Sequence, residues 1–141
     1  MKLKLKITKH LKRQLKINAS KMDQERTNYV LELLKQHITD NSSVWTSKVE
    51  TYPQLLIDRK EGLEVLKASF TEDMPIEEQR AQLKEYYVTH HMYVNYYNKN
   101  KKYENLILTL EDNDYYALCL IGESKQESVE KYVADFLTHK Q

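Results

Sequence analysis

The chain has 141 residues, enough for one compact domain or for a small domain beside a larger one, and its 40% apolar and 30% charged residues suit a globular protein. Its net charge of +1 conceals a division: residues 1–40 hold ten Lys and Arg against four acids, and the remainder holds 12 against 17, so a +6 arm precedes a −5 body. A single cysteine, Cys119, excludes an internal disulfide and a cysteine-based zinc cluster. No apolar run reaches the roughly 18 residues that span a bilayer. The basic start lacks the apolar stretch of a signal peptide and the Arg- and Ser-rich helical character of a transit peptide, so a cytoplasmic setting is expected.

The first element is Lys2-Leu3-Lys4-Leu5-Lys6-Ile7-Thr8, which alternates strictly. Period two is the signature of a half-buried strand, with Leu3, Leu5 and Ile7 on one face and Lys2, Lys4, Lys6 and Thr8 on the other. Leu11, Leu15, Ala19 and Met22 then mark one face of a helix over residues 9–22. Tyr29, Val30, Leu33, Leu34 and Ile38 mark a second helix, with Asp23 and Glu25 near its positive end. Thr39-Asp40-Asn41-Ser42-Ser43 breaks the pattern, and residues 41–48 are expected to be a linker, with Trp45 anchoring the following segment to the body. Leu55-Leu56-Ile57, Leu63, Leu66 and Phe70 predict a helix, and Pro75 predicts the first turn of another that runs to about residue 98. Leu106–Glu111 and Tyr115–Ile121 read as strands joined by Asp112-Asn113-Asp114 into a hairpin. Ser124 and Glu127 form a capping box ahead of a terminal helix through Val129, Tyr132, Val133, Phe136 and Leu137. No internal repeat is evident.

Strand, helix, short break and helix within 40 residues resembles the ribbon-helix-helix DNA-binding proteins of the Arc and MetJ type. Ala19 is similar to the small residue near the end of that family's first helix, and Glu25-Arg26-Thr27-Asn28-Tyr29-Val30 to the start of its second. Leu33, Leu34 and Ile38 follow in register. The resemblance covers residues 1–38. It implies that two subunits pair their strands into an antiparallel ribbon that enters the major groove of B-DNA. Lys2, Lys4 and Lys6 would contact bases, and a lysine donating to guanine O6 and N7 favours a G-rich half-site. Arg26, Thr27 and Thr8 would contact phosphate. Leu3, Leu5, Ile7, Leu15, Val30 and Leu34 would form the dimer core. Two positions depart from the family: Asp23 stands where a turn glycine is usual, and Glu25 where a Ser, Thr or Asn cap is usual. The plainer alternative for the three lysines is an edge strand protected against aggregation.

The expected fold is therefore α+β: a ribbon-helix-helix domain at 1–40 (one strand and two helices of an intertwined homodimer), the linker, and an acidic helix-helix-hairpin-helix domain at 49–141. The second domain would serve a homotetramer or a protein partner. The leading function is a sequence-specific regulator, a transcriptional repressor binding palindromic or repeated half-sites in double-stranded DNA. The alternatives are a plasmid relaxosome or partition adaptor that recruits a protein, and an antitoxin or DNA-independent interaction module. Cutting the chain after residue 43 is expected to leave a DNA-binding dimer. His90 and His91 are adjacent and so diverge on a helix, which gives no bidentate metal site. Tyr86, Tyr87, Tyr93, Tyr96 and Tyr97 suggest an oligomer surface, and with Lys99, Lys101 and Lys102 a weaker stacking surface for single strands. No nucleophile elbow or Cys-His signature is present, so no enzyme, cofactor or metal is expected.

Overall fold

The computed structural model describes residues 1–92 and 103–141. Strand β1 (Lys2–Thr8) leads into helix α1 (Lys9–Lys21) and helix α2 (Arg26–Asp40), where alternation and helical spacing predict them. Leu3, Leu5 and Ile7 are buried, Lys2 and Lys4 are exposed and Lys6 is half-buried, so the period of the sequence is the period of burial. Thr8 caps α1 by accepting the Leu11 backbone N–H at 3.0 Å. Leu11, Leu15 and Ala19 form the buried stripe of α1, and Val30, Leu34 and Ile38 that of α2. Between the helices Asp23 takes φ = 56°, the left-handed conformation usually given to glycine. Aspartate tolerates it better than most residues, because its short polar side chain can bond locally. The turn therefore forms without a glycine.

Residues 41–48 fold onto α2 instead of forming an open linker. Asn41 ends α2, Ser42–Trp45 form the short helix α3, and the Trp45 indole N–H donates to the Ile38 carbonyl at 2.9 Å. Trp45 thus anchors the segment, as its size suggests. Helix α4 (Tyr52–Ala68) carries Pro53 in its first turn and packs on helix α5 (Ile76–Thr89), for which Pro75 is the N-cap. The Tyr86 hydroxyl donates to the Arg59 carbonyl at 2.6 Å, and a Cβ at Gly62 would collide with that hydroxyl. Glycine there leaves the Tyr86 hydroxyl room to reach that carbonyl. Helix α5 stops at Thr89, short of the expected residue 98, and His91 at φ = 54° turns the backbone away. The expectations for Tyr93, Tyr96, Tyr97, Lys99, Lys101 and Lys102 lie outside the described residues.

The expected hairpin is absent. Strand β2 (Tyr103–Thr109) is followed not by a return strand but by helix α6 (Asp112–Ser124), then helix α7 (Val129–Lys140). Ala117 to Gly122 are all buried, because α6 packs against α2, α3 and α7. A helix buried on all sides reads as a continuous apolar run, and such a run does not reveal its own period. Asp112 and Asp114 lie in the first turn of α6, where the helix dipole favours carboxylates, and do not form a hairpin loop. The capping residue of α7 is Ser128, which accepts the Lys131 N–H, whereas Ser124 ends α6.

Strand β2 pairs antiparallel with β1 along its whole length, from Lys2 opposite Thr109 to Thr8 opposite Tyr103. Met1 and Leu110 extend the ladder, exchanging backbone bonds of 2.8 and 2.9 Å. The strand pairing expected of a second subunit is made within the chain. Leu3, Leu5, Ile7, Leu15, Val30 and Leu34 are all buried there, in one core with Leu106, Leu108, Leu118, Val133 and Leu137. That core runs across residues 41–48, so the division into an N-terminal and a C-terminal body does not follow the packing.

The second half repeats the first. Leu3 and Leu106, Leu5 and Leu108, Leu15 and Leu118, Ala19 and Gly122, Val30 and Val133, and Leu34 and Leu137 each stand 103 positions apart, and all are buried. The same offset carries α1 onto α6, each of 13 residues, and Asp23 onto Gln126, which also turns through the left-handed region at φ = 61°. Lys4 lies directly opposite Ile107, its own counterpart, so the pairing is symmetric about that rung. The fold is a strand-helix-helix unit written twice, with α3, α4 and α5 between the copies. The copies are hard to see in the residues alone because their identities are few: four leucine pairs, Val30 with Val133, and the half-buried Tyr29 with Tyr132.

Candidate functional site

The ribbon has one face in the core and one in solvent. Side chains directly opposite each other share a face, so the outer face carries Lys2, Lys4, Lys6 and Thr8 from β1 and Tyr103, Asn105, Ile107 and Thr109 from β2. All are exposed except the half-buried Lys6, and Ile107 is 54% exposed. No carboxylate stands among them. Glu104, on the inner row, is held by Lys12 at 3.3 Å, and the Lys12 ammonium also donates to the Asn105 carbonyl at 3.3 Å. Beyond the Lys2 end, the terminal amine lies 3.5 Å from Asp112. Three ammonium groups in a row on a ribbon seated on a close-packed core make a rigid cationic ridge.

Sequence reasoning identified the lysine row of this face and missed the other. Asn105, Ile107 and Thr109 belong to it because they alternate with Leu106, Leu108 and Leu110, a signal visible in the residues. Nothing local pointed to β1 as their partner.

The flanks are unequal. At the start of α2 the amides of the first turn are free of any side-chain cap, Arg26 is half-buried with its Nε unpartnered, and Thr27 is exposed. The corresponding positions at the start of α7 are Val129, which is buried, and Glu130. Free amides and a cation suit an anion at the first of these ends, whereas at the second Ser128 caps the amides and Glu130 stands in the first turn. Thr8 is spent in part on capping α1, although its hydroxyl proton can still be donated.

A separate polar cluster ties α4 to α6. The Tyr52 hydroxyl donates to Glu123 at 2.7 Å, the Arg59 guanidinium bonds the same carboxylate, and Arg59 lies 5.8 Å from the centre of the Tyr52 ring. The adjoining cleft of about 450 Å³ is lined in part by Tyr115, Cys119, His90 and Glu130. Burial pushes the Cys119 thiol up to about 12, so it is not an activated nucleophile at neutral pH. No group of three or more His, Cys, Asp or Glu that could hold a metal ion occurs among the described residues. No helix among them is long and apolar enough to cross a membrane.

Desolvation raises the Glu130 carboxyl above its usual range. The native state therefore binds this proton more tightly than the unfolded chain, and stability falls as pH rises from the unfolded value of about 4.3 through the raised native value. Replacing Glu130→Gln is expected to raise stability at pH 7 and to change it little below about pH 4, as urea unfolding at the two values would measure. A loss of stability at pH 7 would mean that the charged form is the one favoured in the fold.

Comparisons of this chain with protein families, with curated proteins and with solved structures give no match.

Proposed function

We propose that the chain is a sequence-specific double-stranded DNA-binding protein, a transcriptional repressor whose β1–β2 ribbon enters the major groove as a ribbon-helix-helix unit completed within one chain. The observation that carries this reading is the outer face of the ribbon, where Lys2, Lys4 and Lys6 stand in a row with no acid among the described residues of that face. A two-stranded ribbon fits the major groove, and lysine there donates to guanine O6 and N7. Phosphate contacts at Arg26, Thr27 and the first amides of α2 would set the register, while the ribbon sets sequence preference.

The α4–α5 insertion favours a second role on the same DNA site, that of a relaxosome or partition adaptor. It exposes the apolar side chains of Leu55, Ile57, Val65, Ile76 and Val88, which a protein partner could cover.

The test is the triple change K2A/K4A/K6A. Lys2 and Lys4 are exposed, so the fold is expected to persist, while sequence preference disappears and the slope of log K against log salt falls by up to about 3. An unchanged motif with an unchanged slope would remove the ribbon from the interface.

A further inference from the structure

We infer that the ribbon reads a non-palindromic duplex and that one chain occupies it; this rests on the DNA-binding reading above. Operator palindromy mirrors protein symmetry: two identical strands present the same side chains to both DNA strands, related by a dyad. Here the backbone is symmetric about the Lys4–Ile107 rung and the side chains are not. At the three outward positions nearest the dyad, one strand offers Lys2, Lys4 and Lys6. The 103-residue offset gives Asn105, Ile107 and Thr109 as their counterparts.

The chemistry of the two rows differs in what each accepts from a base edge. Lysine is a donor only and selects the acceptors of guanine. Asparagine both donates and accepts, and matches N6 and N7 of adenine. Ile107 and Thr109 offer apolar contact to the methyl group of thymine. All three ammonium groups lie along one strand of the ribbon, so guanine contacts fall in a single row, with adenine and thymine contacts across from it. The ends differ too: Lys6 faces Asn105 at one end, and Lys2 faces Thr109 at the other. The flanks add to the imbalance, since Arg26 and Thr27 are replaced in the second half by Val129 and Glu130. Because β1 already has its strand partner and its core cover within the chain, no second subunit is needed to complete the ribbon.

The experiment is selection of the full-length protein against random duplex DNA at about 50 and 200 mM salt, with the mass of the complex on the recovered duplex measured by light scattering. The expected result is a motif that differs from its own reverse complement, bound by one chain. Asn105→Ala is expected to lose preference at the base it reads by about tenfold, leaving the guanine positions unchanged, and Lys6→Ala is expected to do the reverse. An inverted repeat holding two chains would overturn this inference and leave the DNA-binding reading standing. Duplex recovered without a motif, and lost at the higher salt, would overturn both.

Discussion

A chain ending at residue 102 is expected to lose cooperative folding as a monomer, the largest effect that any single change to this protein should produce. The cut removes β2, α6 and α7 together. Strand β1 would lose every rung of its described ladder, and Leu3, Leu5, Ile7, Leu15 and Leu34 would lose the cover of Leu106, Leu108, Leu118 and Leu137. Burying one such side chain is worth about 1.5–3 kcal/mol, and a domain has only about 5–15 kcal/mol in all. Losing the cover of several residues therefore exceeds the whole margin. Dimerisation through two copies of β1 would set six lysines on one outer face, where like charges directly opposite each other repel. Far-ultraviolet circular dichroism through a thermal ramp, with light scattering for mass, would measure the outcome. A monomer with a sharp melting transition would show that the first half folds alone. A stable dimer would show that the symmetric ribbon expected from residues 1–38 remains accessible once the second half is gone.

Leu34→Ala and Leu137→Ala are expected to destabilise the full-length chain by about 2–5 kcal/mol each. Both side chains are 0% exposed, they stand at equivalent positions of α2 and α7, and each projects into the same core. Truncation removes transfer free energy and leaves a cavity, and the cost depends on how far the surroundings collapse. Both sit in the same buried core, although α7 packs on β1 and α6 while α2 packs on α1 and α6, so both costs are expected within that range. By contrast Val65→Ala, at a position 71% exposed, is expected to change stability by less than about 0.5 kcal/mol. Urea unfolding of the three variants would measure this. A cost at Leu137 far below that at Leu34 would mean that the second unit is a loosely attached copy and not an equal half of the core.

The elements legible in the residues were those whose period is imposed by an interface between core and solvent. The strand over residues 2–8 and the helices on either side of Asp23 bury one face each, and their apolar residues recur at 2 or at 3–4 positions accordingly. Helix α6 failed the same reading because it has no wet face between Ala117 and Gly122, and buried helix and buried strand then look alike. The lysine row of the candidate site was legible for the reason β1 was: its residues are the polar half of the alternation. Asn105, Ile107 and Thr109 were not, because an exposed asparagine, isoleucine and threonine carry no charge signal and gain their meaning from the strand they face.

A lone strand declares that its backbone groups need partners, and the alternation of β1 also declares which face must be covered. Both statements are local, and both hold in the folded chain. Which strand supplies the bonds is a matter of geometry between distant segments. Packing resolves it in favour of β2, because α6 and α7 can then close over Leu3, Leu5 and Leu34 from the same chain, with no cost of bringing a second molecule to the interface. The repeat is recorded in the residues in and beside the core, as leucine against leucine, valine against valine and tyrosine against tyrosine at a constant offset. On the outer face, where burial imposes nothing, the two copies have diverged into a lysine strand and a neutral one.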